Sequence, residues 1–478
     1  MNPVLANAKS TDERVRARET QILSNISETK FNDAVHNSLL ILQELGLDFS
    51  NADTATMKTE LVKTQSLIEA SSSNGQNLLE KILAKPTSID SRQIGLMRIL
   101  SCASRAAYVA EPPLMLLMVL RMVQMTLVSD AITAESSFGF AGLSFAMSGL
   151  GNHNLSYLAS KVASALDDRF DKKYTCSVNC LINIGSVGYF QPMQAIIESF
   201  RQSLKHALSV GDWDWARISI IQQSPVAIGA PERGKTLGDV ENEIRQVLMV
   251  FSSQEDGLKN NLVVSILYLQ MLLNLKEDNA IGDADVIDPT VLTGAVMNQQ
   301  EYLRRCEEEG VRDYIRRFYS CRLYLAYLFH QHSLAEDMVN KCEEVAQLAK
   351  FCPFFEIITE TFYMGLIAAE ALQQRTGVDS ASDIERWQQL AMNSLNTMTK
   401  WADEGSEWNF SHKAALLRAE IAVGTGDIDT AVSSSSHQSI LCIFDRAHVD
   451  LSIYENFSHC EKSLGLPHYL SAIGRGAR

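Results

Sequence analysis

Apolar residues recur along this chain at the spacing of one helix face, and short polar or glycine-containing turns interrupt them. The clearest case is the string WNFSHKAALLRAEIAVGTGDIDTAV, which begins at Trp408. Its first part places Leu416 and Ala419 on one face, and Gly424–Asp427 then supplies a helix stop and an N-cap. A second helix would begin there with the small residue Ala431 close to its start. The pattern predicts an antiparallel helical hairpin.

Related hairpins are predicted upstream. Ala34 follows a polar turn, further turns are indicated at Gly151–Asn154, Gly211–Asp212 and His330–His332, and Ala335 follows the last of these. Strand-like alternation is scarce. Recurrence of one hairpin is typical of tetratricopeptide-like (TPR-like) arrays. The sequence therefore predicts an all-α protein, an α-solenoid of degenerate TPR-like hairpins wound as a right-handed superhelix.

Composition agrees with a folded helical chain, because 46% of its 478 residues are hydrophobic and 21% are charged. The longest polar, breaker-rich segment runs from Lys276 to Ala295. We therefore predict N-terminal TPR-like repeats over residues 1–275, a loop or linker over 276–297, and C-terminal TPR-like repeats over 298–478.

Charge and hydropathy limit the partners. The 57 acidic and 42 basic residues give a net charge of −15, which disfavours nucleic acid and anionic membranes. The longest apolar run, Pro112–Val128, is interrupted by Arg121 and Gln124 and is too short to span a bilayer. The first residues contain no secretory signal core, and nine cysteines are scattered singly, which is typical of a reducing compartment. We expect a cytoplasmic protein.

One octapeptide, GAPERGKT, matches the pattern of a phosphate-binding P-loop. In that interpretation the backbone from Gly229 to Gly234 would cradle phosphates, Lys235 would reach the β- and γ-phosphates, and Thr236 would bind magnesium. The apolar segment that ends at Asp445 would supply the second magnesium acid. Nucleotide binding through residues 229–236 is the alternative function.

A helical interpretation of the same segments competes with it. A P-loop lies between a strand and a helix of a parallel sheet, and no further strands are predicted nearby. The upstream segment reads as a helix broken near Pro225, and the downstream segment reads as an amphipathic helix. Asp445 falls on the second helix of the closing hairpin. This interpretation is the favoured one.

Other chemistry has weaker signals. Cys176 and Cys180 are spaced like two metal ligands on a helix, but no second pair at zinc spacing follows. His330 and His332 flank a turn, and the C-terminal histidines do not share one helix face. No nucleophile, paired-acid or metalloprotease signature occurs. We expect no catalytic residue, no metal and no cofactor.

Several ordered segments resemble a known family. AVHNSLLILQELGLDF, LMRILSCASRAAYVAEPPLMLLMVLRMVQMTLVSD, ETFYMGLIAAEAL and NFSHKAALLRAEIA followed by GDIDTA are similar to the TPR-like helical region of large multidomain signalling proteins. In those proteins the region follows an AAA-type predicted ATPase, often with a protein-kinase-like domain before it. The resemblance covers about residues 20 to 460, and no ATPase or kinase domain accompanies it here.

The resemblance implies a non-catalytic scaffold that mediates protein–protein interaction, in signal transduction or in the regulation of an ATPase or kinase component. Its groove would bind a protein or peptide partner, and a net acidic chain would favour basic segments. Candidate groove residues are Asn152, Arg217, His412 and Lys413. A further alternative is a regulatory subunit of a separately encoded ATPase.

Overall fold

The all-α prediction is confirmed. A computed structural model describes residues 8, 10–72, 77–230, 232, 234–252, 262–276, 288–347, 354–375, 381–427, 430 and 434. These residues form helices and connecting turns without a strand, apart from one isolated bridge between Thr87 and Ile132. Within the same ranges, no helix combines the length and the apolar character that crossing a bilayer requires.

The helices are numbered here in chain order. The first nine are α1 (Thr11–Ser27), α2 (Phe31–Glu44), α3 (Thr54–Ser72), α4 (Leu78–Ala84), α5 (Ser91–Ala110), α6 (Pro112–Val128), α7 (Ser136–Gly149), α8 (His153–Arg169) and α9 (Thr175–Ile182). A π-helical segment, Asn183–Val187, leads into the short α10 (Gly188–Phe190). The remainder are α11 (Met193–Val210), α12 (Trp213–Gly229), α13 (Leu237–Ser252), α14 (Val263–Leu275), α15 (Gln299–Glu308), α16 (Arg312–Leu328), α17 (His332–Ala346), α18 (Phe354–Gln374), α19 (Ala381–Glu404) and α20 (Glu407–Thr425).

The described residues divide into two compact units. The first unit contains those up to 187 together with 199–219, and the second contains 188–198, 220–252 and those from 262 onward. The predicted linker at 276–297 therefore does not coincide with a change of unit. Its described part is a packed loop, in which Leu292 is fully buried and Asn274 donates to the carbonyls of Pro289 and Val291 at 2.9 and 2.8 Å.

One turn geometry, which we call the hairpin turn, joins successive described helices at five places and also ends α20. Its central residue has a left-handed backbone, with φ between 54° and 77°, at Thr29, Gly151, Gly211, Gly310, His330 and Gly426. The next residue donates its N–H to the carbonyl five residues back, at 2.8–3.0 Å in all six turns. This is the hydrogen bond of the Schellman motif, which satisfies a carbonyl that the helix end would leave unpaired.

The residue that makes this bond also begins the following helix. Its carbonyl accepts the first intrahelical bond in four turns, from residues Ala34, Ser156, Ala216 and Ala335. Each of these four side chains is small and at most 1% exposed. The turns and the buried small residues predicted from sequence at Ala34 and Ala335 are confirmed. At Gly426, Asp427 accepts from the Thr430 N–H at 3.1 Å as the predicted N-cap, while Ala431 lies outside the described residues.

Close packing within the first unit is visible between α6 and α7. A Cβ atom built on Gly142 would lie 2.8 Å from Val119 Cγ2, and one on Gly139 would lie 2.9 Å from Met122 Cβ. A larger side chain at either position would therefore push the two helices apart. α6 also packs against α3 and α5.

A single asparagine organises part of the second unit. The amide of Asn409 in α20 donates to the carbonyls of Gly188 and Gln191 at 2.7 and 2.6 Å, and Asn409 is only 5% exposed. Beside it, the Tyr189 ring stacks on Phe410. The bonds hold the chain that follows α10 against the start of α20.

The predicted helix break near Pro225 is wrong. Pro225 lies inside α12, which continues to Gly229. An internal proline costs about 3 kcal/mol because it removes a hydrogen bond and crowds the preceding turn. Here the flanking apolar residues Ile221, Val226 and Ile228 are each at most 7% exposed, so burial on both sides of the proline offsets that cost.

Candidate functional site

The octapeptide GAPERGKT connects two helices. Gly229 is the last residue of α12, and Gly234 has a φ of +77° in the turn before α13. The Lys235 ammonium lies 2.7 Å from Glu232 Oε2 and also pairs with Glu243. Thr236 forms a capping box with Asp239: its N–H donates to the carboxylate at 2.8 Å and its Oγ1 accepts from the Asp239 N–H at 3.2 Å.

This arrangement differs from a P-loop in three physical respects. The element before it is a helix, where a P-loop follows a strand. Both groups that would bind phosphate and magnesium already have partners, since Lys235 neutralises two carboxylates and Thr236 caps α13. Asp445 lies outside the described residues. Nucleotide binding at Gly229, Gly234, Lys235 and Thr236 stays a prediction. A bound nucleotide would have to break the contacts of Lys235 and Thr236, which lowers its affinity.

The four groove residues proposed from sequence are engaged in local contacts. Asn152 caps α8 by accepting from the Leu155 N–H at 3.1 Å, and Arg217 lies 3.8 Å from Asp214 Oδ1. His412 is 8% exposed, and burial lowers its pKa, as does the neighbouring Lys413. The Lys413 ammonium lies 5.0 Å above the Phe362 ring. Asn152 and Arg217 belong to the first unit, and His412 and Lys413 belong to the second.

One cavity among the described residues is one that sequence reasoning did not single out. It is an open cleft of about 570 Å³ in the first unit, within the size range of ligand sites. Three elements form it, namely α3, the start of α5 and the end of α6 with its C-cap. Its lining consists of Lys63, Leu67, Asp90, Arg92, Gln93, Leu96, Arg121, Gln124, Met125, Val128 and Ser129. We call it the α3–α5–α6 cleft.

The cleft is cationic in a chain that is acidic overall. Lys63, Arg92 and Arg121 line it with a single carboxylate, Asp90, which is engaged as the N-cap of α5 through the Arg92 N–H at 2.9 Å. Lys63 pairs with Glu60 at 3.3 Å, which leaves the two arginines as the cations without a direct carboxylate partner. Arg92 donates through Nε and Nη2 to the Leu45 carbonyl at 3.1 and 2.8 Å. Among the described residues, neither arginine has a carboxylate within ion-pair distance. Both guanidinium charges are therefore uncompensated by a direct partner.

Polar residues fix the wall of the cleft. Gln124 is 4% exposed, and its Nε2 donates to Glu60 Oε2 at 2.7 Å and to Thr64 Oγ1 at 2.9 Å. The hydrogen bond from Gln124 lowers the pKa of Glu60, with smaller effects from Lys63 and Arg121. The other amide atom, Gln124 Oε1, is buried and accepts no hydrogen bond from the described residues. A buried acceptor without a donor is unusual in a folded protein.

A lysine neutralises the helix end next to the cleft. Lys85 Nζ donates to the carbonyls of Thr126, Leu127 and Ser129 at 2.7–2.9 Å, all at the C-terminus of α6. Burial lowers the pKa of Lys85. These carbonyls would otherwise place partial negative charge beside Arg121. Their neutralisation preserves the positive potential of the cleft.

Two arginines of the second unit form ion pairs that are largely shielded from solvent. Arg317 Nη1 lies 2.7 Å from Glu356 Oε1, and both side chains are at most 4% exposed. The adjacent Arg316 makes a bidentate pair with Glu360, which lies one helical turn after Glu356, at 2.7 and 3.1 Å. The Tyr268 hydroxyl donates to Glu356 at 2.9 Å, and burial raises the pKa of Tyr268 well above the usual range. This network joins α16 to α18 and α14.

Groups with metal-binding chemistry are dispersed. Across the described ranges, no three His, Cys, Asp or Glu side chains meet in a way that could hold a metal ion. Cys176 Sγ lies 2.9 Å from His206 Nδ1, but burial raises the pKa of the thiol to about 12, which keeps it protonated. Cys180 contacts Ser219 Oγ at 3.0 Å instead of joining Cys176. Both cysteines are buried.

The sequence contained a signal for one part of the cleft. Arg121 and Gln124 interrupt the apolar run of α6, and both side chains line the cleft. Lys63 and Arg92 carried no comparable signal, because they belong to other helices that only the fold brings alongside α6.

In comparisons with known proteins, no family model, no curated protein and no solved structure matches this chain.

Proposed function

We propose that this chain is a non-catalytic helical-repeat scaffold that binds protein segments. The observation that carries the proposal is the recurrence of one hairpin turn at six places, each with one residue in the left-handed backbone conformation and the same hydrogen bond. Repetition of one supersecondary unit is typical of arrays whose stacked helices present extended binding surfaces.

Packing along the chain supports this proposal. Within the first unit α1 packs on α2 and α5, α6 on α7, and α7 on α8. Within the second unit α16 packs on α17 and α18, and α18 on α19 and α20. Each helix thus contacts others that are close to it in sequence, as expected when repeats touch only their neighbours. A right-handed TPR-like solenoid is the arrangement that we propose for such units.

The resemblance to the helical region of signalling ATPases supplies the biological context of the proposal. In that context the scaffold would couple a signal to an ATPase or kinase component, or regulate one. Asn152, Arg217, His412 and Lys413 stay the proposed partner contacts, and of these His412 is 8% exposed.

A display screen tests the proposal. The full chain is screened against a random peptide library, and the peptides recovered are then titrated in solution; saturable micromolar binding by a sequence-related set is expected. Titration with ATP and magnesium is run in parallel. Binding of ATP with no binding of any peptide would overturn the scaffold proposal in favour of the nucleotide-binding alternative.

A further inference from the structure

The α3–α5–α6 cleft combines charge with apolar side chains. Two unpaired arginines line it together with Lys63, which pairs with Glu60, while Leu67, Leu96 and Met125 supply aliphatic surface. At its rim Val128 is 69% exposed, and Ile89, which precedes Asp90, is 97% exposed. Exposed apolar residues around a polar cleft mark interaction surfaces more often than they mark ordinary surface. The cleft therefore has the composition of a binding site.

The charge of the cleft selects an anionic ligand. Arg92 and Arg121 have no carboxylate partner among the described residues, and arginine forms its strongest hydrogen bonds with carboxylates and phosphates. At ordinary ionic strength, charges act over about 8–10 Å, so nearby arginines outweigh the distant acidic surface. A long polyanion such as nucleic acid would extend beyond this range onto a chain of net charge −15.

The mixed lining of the cleft points to a peptide. Cationic and apolar side chains line it together, so a ligand that offers both carboxylates and aliphatic groups matches it better than a simple anion does. An extended peptide also presents side chains alternately to two sides, so acidic and aliphatic residues can reach different walls.

We propose that the α3–α5–α6 cleft is a docking site for an acidic, aliphatic-containing segment of a partner protein. Carboxylates of the segment pair with Arg121 and with the remaining donors of Arg92, near Lys63. An aliphatic side chain packs on Leu67, Leu96 and Met125. The inference rests on the proposed scaffold function and names one partner class for it, whereas the sequence alone favoured basic segments.

The test measures binding of a short fluorescent peptide that alternates Glu and Leu to the full chain. Its neutral counterpart has Gln in place of Glu, and single-stranded DNA and inorganic phosphate compete in separate titrations. The Glu peptide is expected to bind at least about tenfold more tightly than the Gln peptide, with affinity falling as salt rises. Equal affinities for the two peptides would overturn the proposal.

Site-specific variants locate the binding. Arg121→Gln and Lys63→Gln remove cleft charges, and each is expected to weaken the Glu peptide about tenfold. Arg418→Gln is the matched control, because Arg418 is an exposed arginine of the second unit. A photoreactive derivative of the peptide should label α3, α5 or α6. Unchanged affinity in both cleft variants, or labelling only elsewhere, would contradict the proposal.

The outcomes separate this inference from the scaffold function. If the Glu peptide fails to bind while library-selected peptides bind another surface, the cleft proposal falls and the scaffold function stands. If no peptide binds anywhere, both fall. If DNA or phosphate displaces the Glu peptide in an Arg121-dependent manner and binds more tightly, the cleft recognises another anion and the peptide proposal is overturned.

Discussion

Arginines in two regions of this protein have opposite surroundings. In the second unit, Arg316 and Arg317 are largely shielded from solvent and each pairs with a glutamate of α18. In the first unit, Arg92 and Arg121 line an open cleft, and the described residues offer neither of them a carboxylate. The difference separates charge that the fold uses internally from charge that is left for a ligand. It also shows that the net charge of a chain does not describe its binding surfaces.

The largest expected effect concerns the buried pair. Arg317→Met leaves Glu356 without its cation, and breaking a buried pair in this way costs about 3–5 kcal/mol of the free energy of unfolding. Urea denaturation of the variant and the parent measures it. The double variant Arg317→Met/Glu356→Met should recover most of the loss, since no uncompensated charge remains. If the single variant were as stable as the parent, the contrast between the paired arginines of the second unit and the cleft arginines of the first would fail.

The second prediction concerns a buried carboxyl group whose hydrogen-bond donor is a neutral amide instead of a cation. Burial raises the pKa of Glu420 to about 7, against an ordinary value of 4.5, and the neutral amide of Gln373 is its donor at 3.1 Å. The folded state therefore holds a proton between pH 4.5 and 7 that the unfolded state has released. Stability should fall as pH rises through this window.

Glu420→Gln should abolish that slope and raise stability at alkaline pH by on the order of 1–3 kcal/mol. Thermal and urea unfolding across the pH range measure both quantities. Glu407→Gln is the control, because Glu407 is an exposed carboxyl at the start of the same helix, α20. A pH dependence that is identical in Glu420→Gln and the parent would refute the prediction.

A smaller effect is expected at the P-loop-like segment. Lys235→Ala removes an ammonium that is 26% exposed and pairs with Glu232 and Glu243, which should change stability by less than about 1 kcal/mol. Lys276→Ala is a matched control, with the same exposure and a pair to Glu241. Calorimetric titration with ATP and magnesium should give no heat of binding for either variant or the parent. Magnesium-dependent binding lost only in Lys235→Ala would establish the nucleotide site.

The smallest effect on stability is expected in the cleft. Arg121→Gln should leave the free energy of unfolding within about 0.5 kcal/mol of the parent, because the described residues provide no partner for its guanidinium to lose. The same change should weaken binding of the acidic peptide to the α3–α5–α6 cleft. Arg316→Gln should do the reverse, lowering stability without changing affinity. Denaturation and fluorescence anisotropy on the same preparations would reveal this crossover, and its absence would remove the distinction between the two regions.

Local signals predicted the helical hairpins well. Gly151, Gly211 and Gly426 mark turns because glycine adopts the left-handed backbone at low cost. Thr29 and His330 adopt the same backbone without being glycine, so only the pattern of flanking apolar residues located their turns. Pro225 was misread because propensity is local, whereas the burial that keeps α12 continuous involves residues distant in sequence.

The candidate site depended more heavily on tertiary structure. Arg121 was visible as an interruption of an apolar run, but its meaning depended on whether a carboxylate would lie beside it. Arg92 reaches the Leu45 carbonyl across 47 residues of chain, and Lys63 lies on another helix. Such juxtapositions are set by helix packing, which a single sequence does not specify residue by residue.

The hairpin turn also bears on how copies of this protein can associate. Exchange of helices between two chains requires a connection that can straighten into a hinge. Here each connection is very short, and straightening it would convert the left-handed residue and break the bond to the carbonyl five residues back. At each of these turns, the left-handed residue and its hydrogen bond therefore oppose the straightening that helix exchange requires.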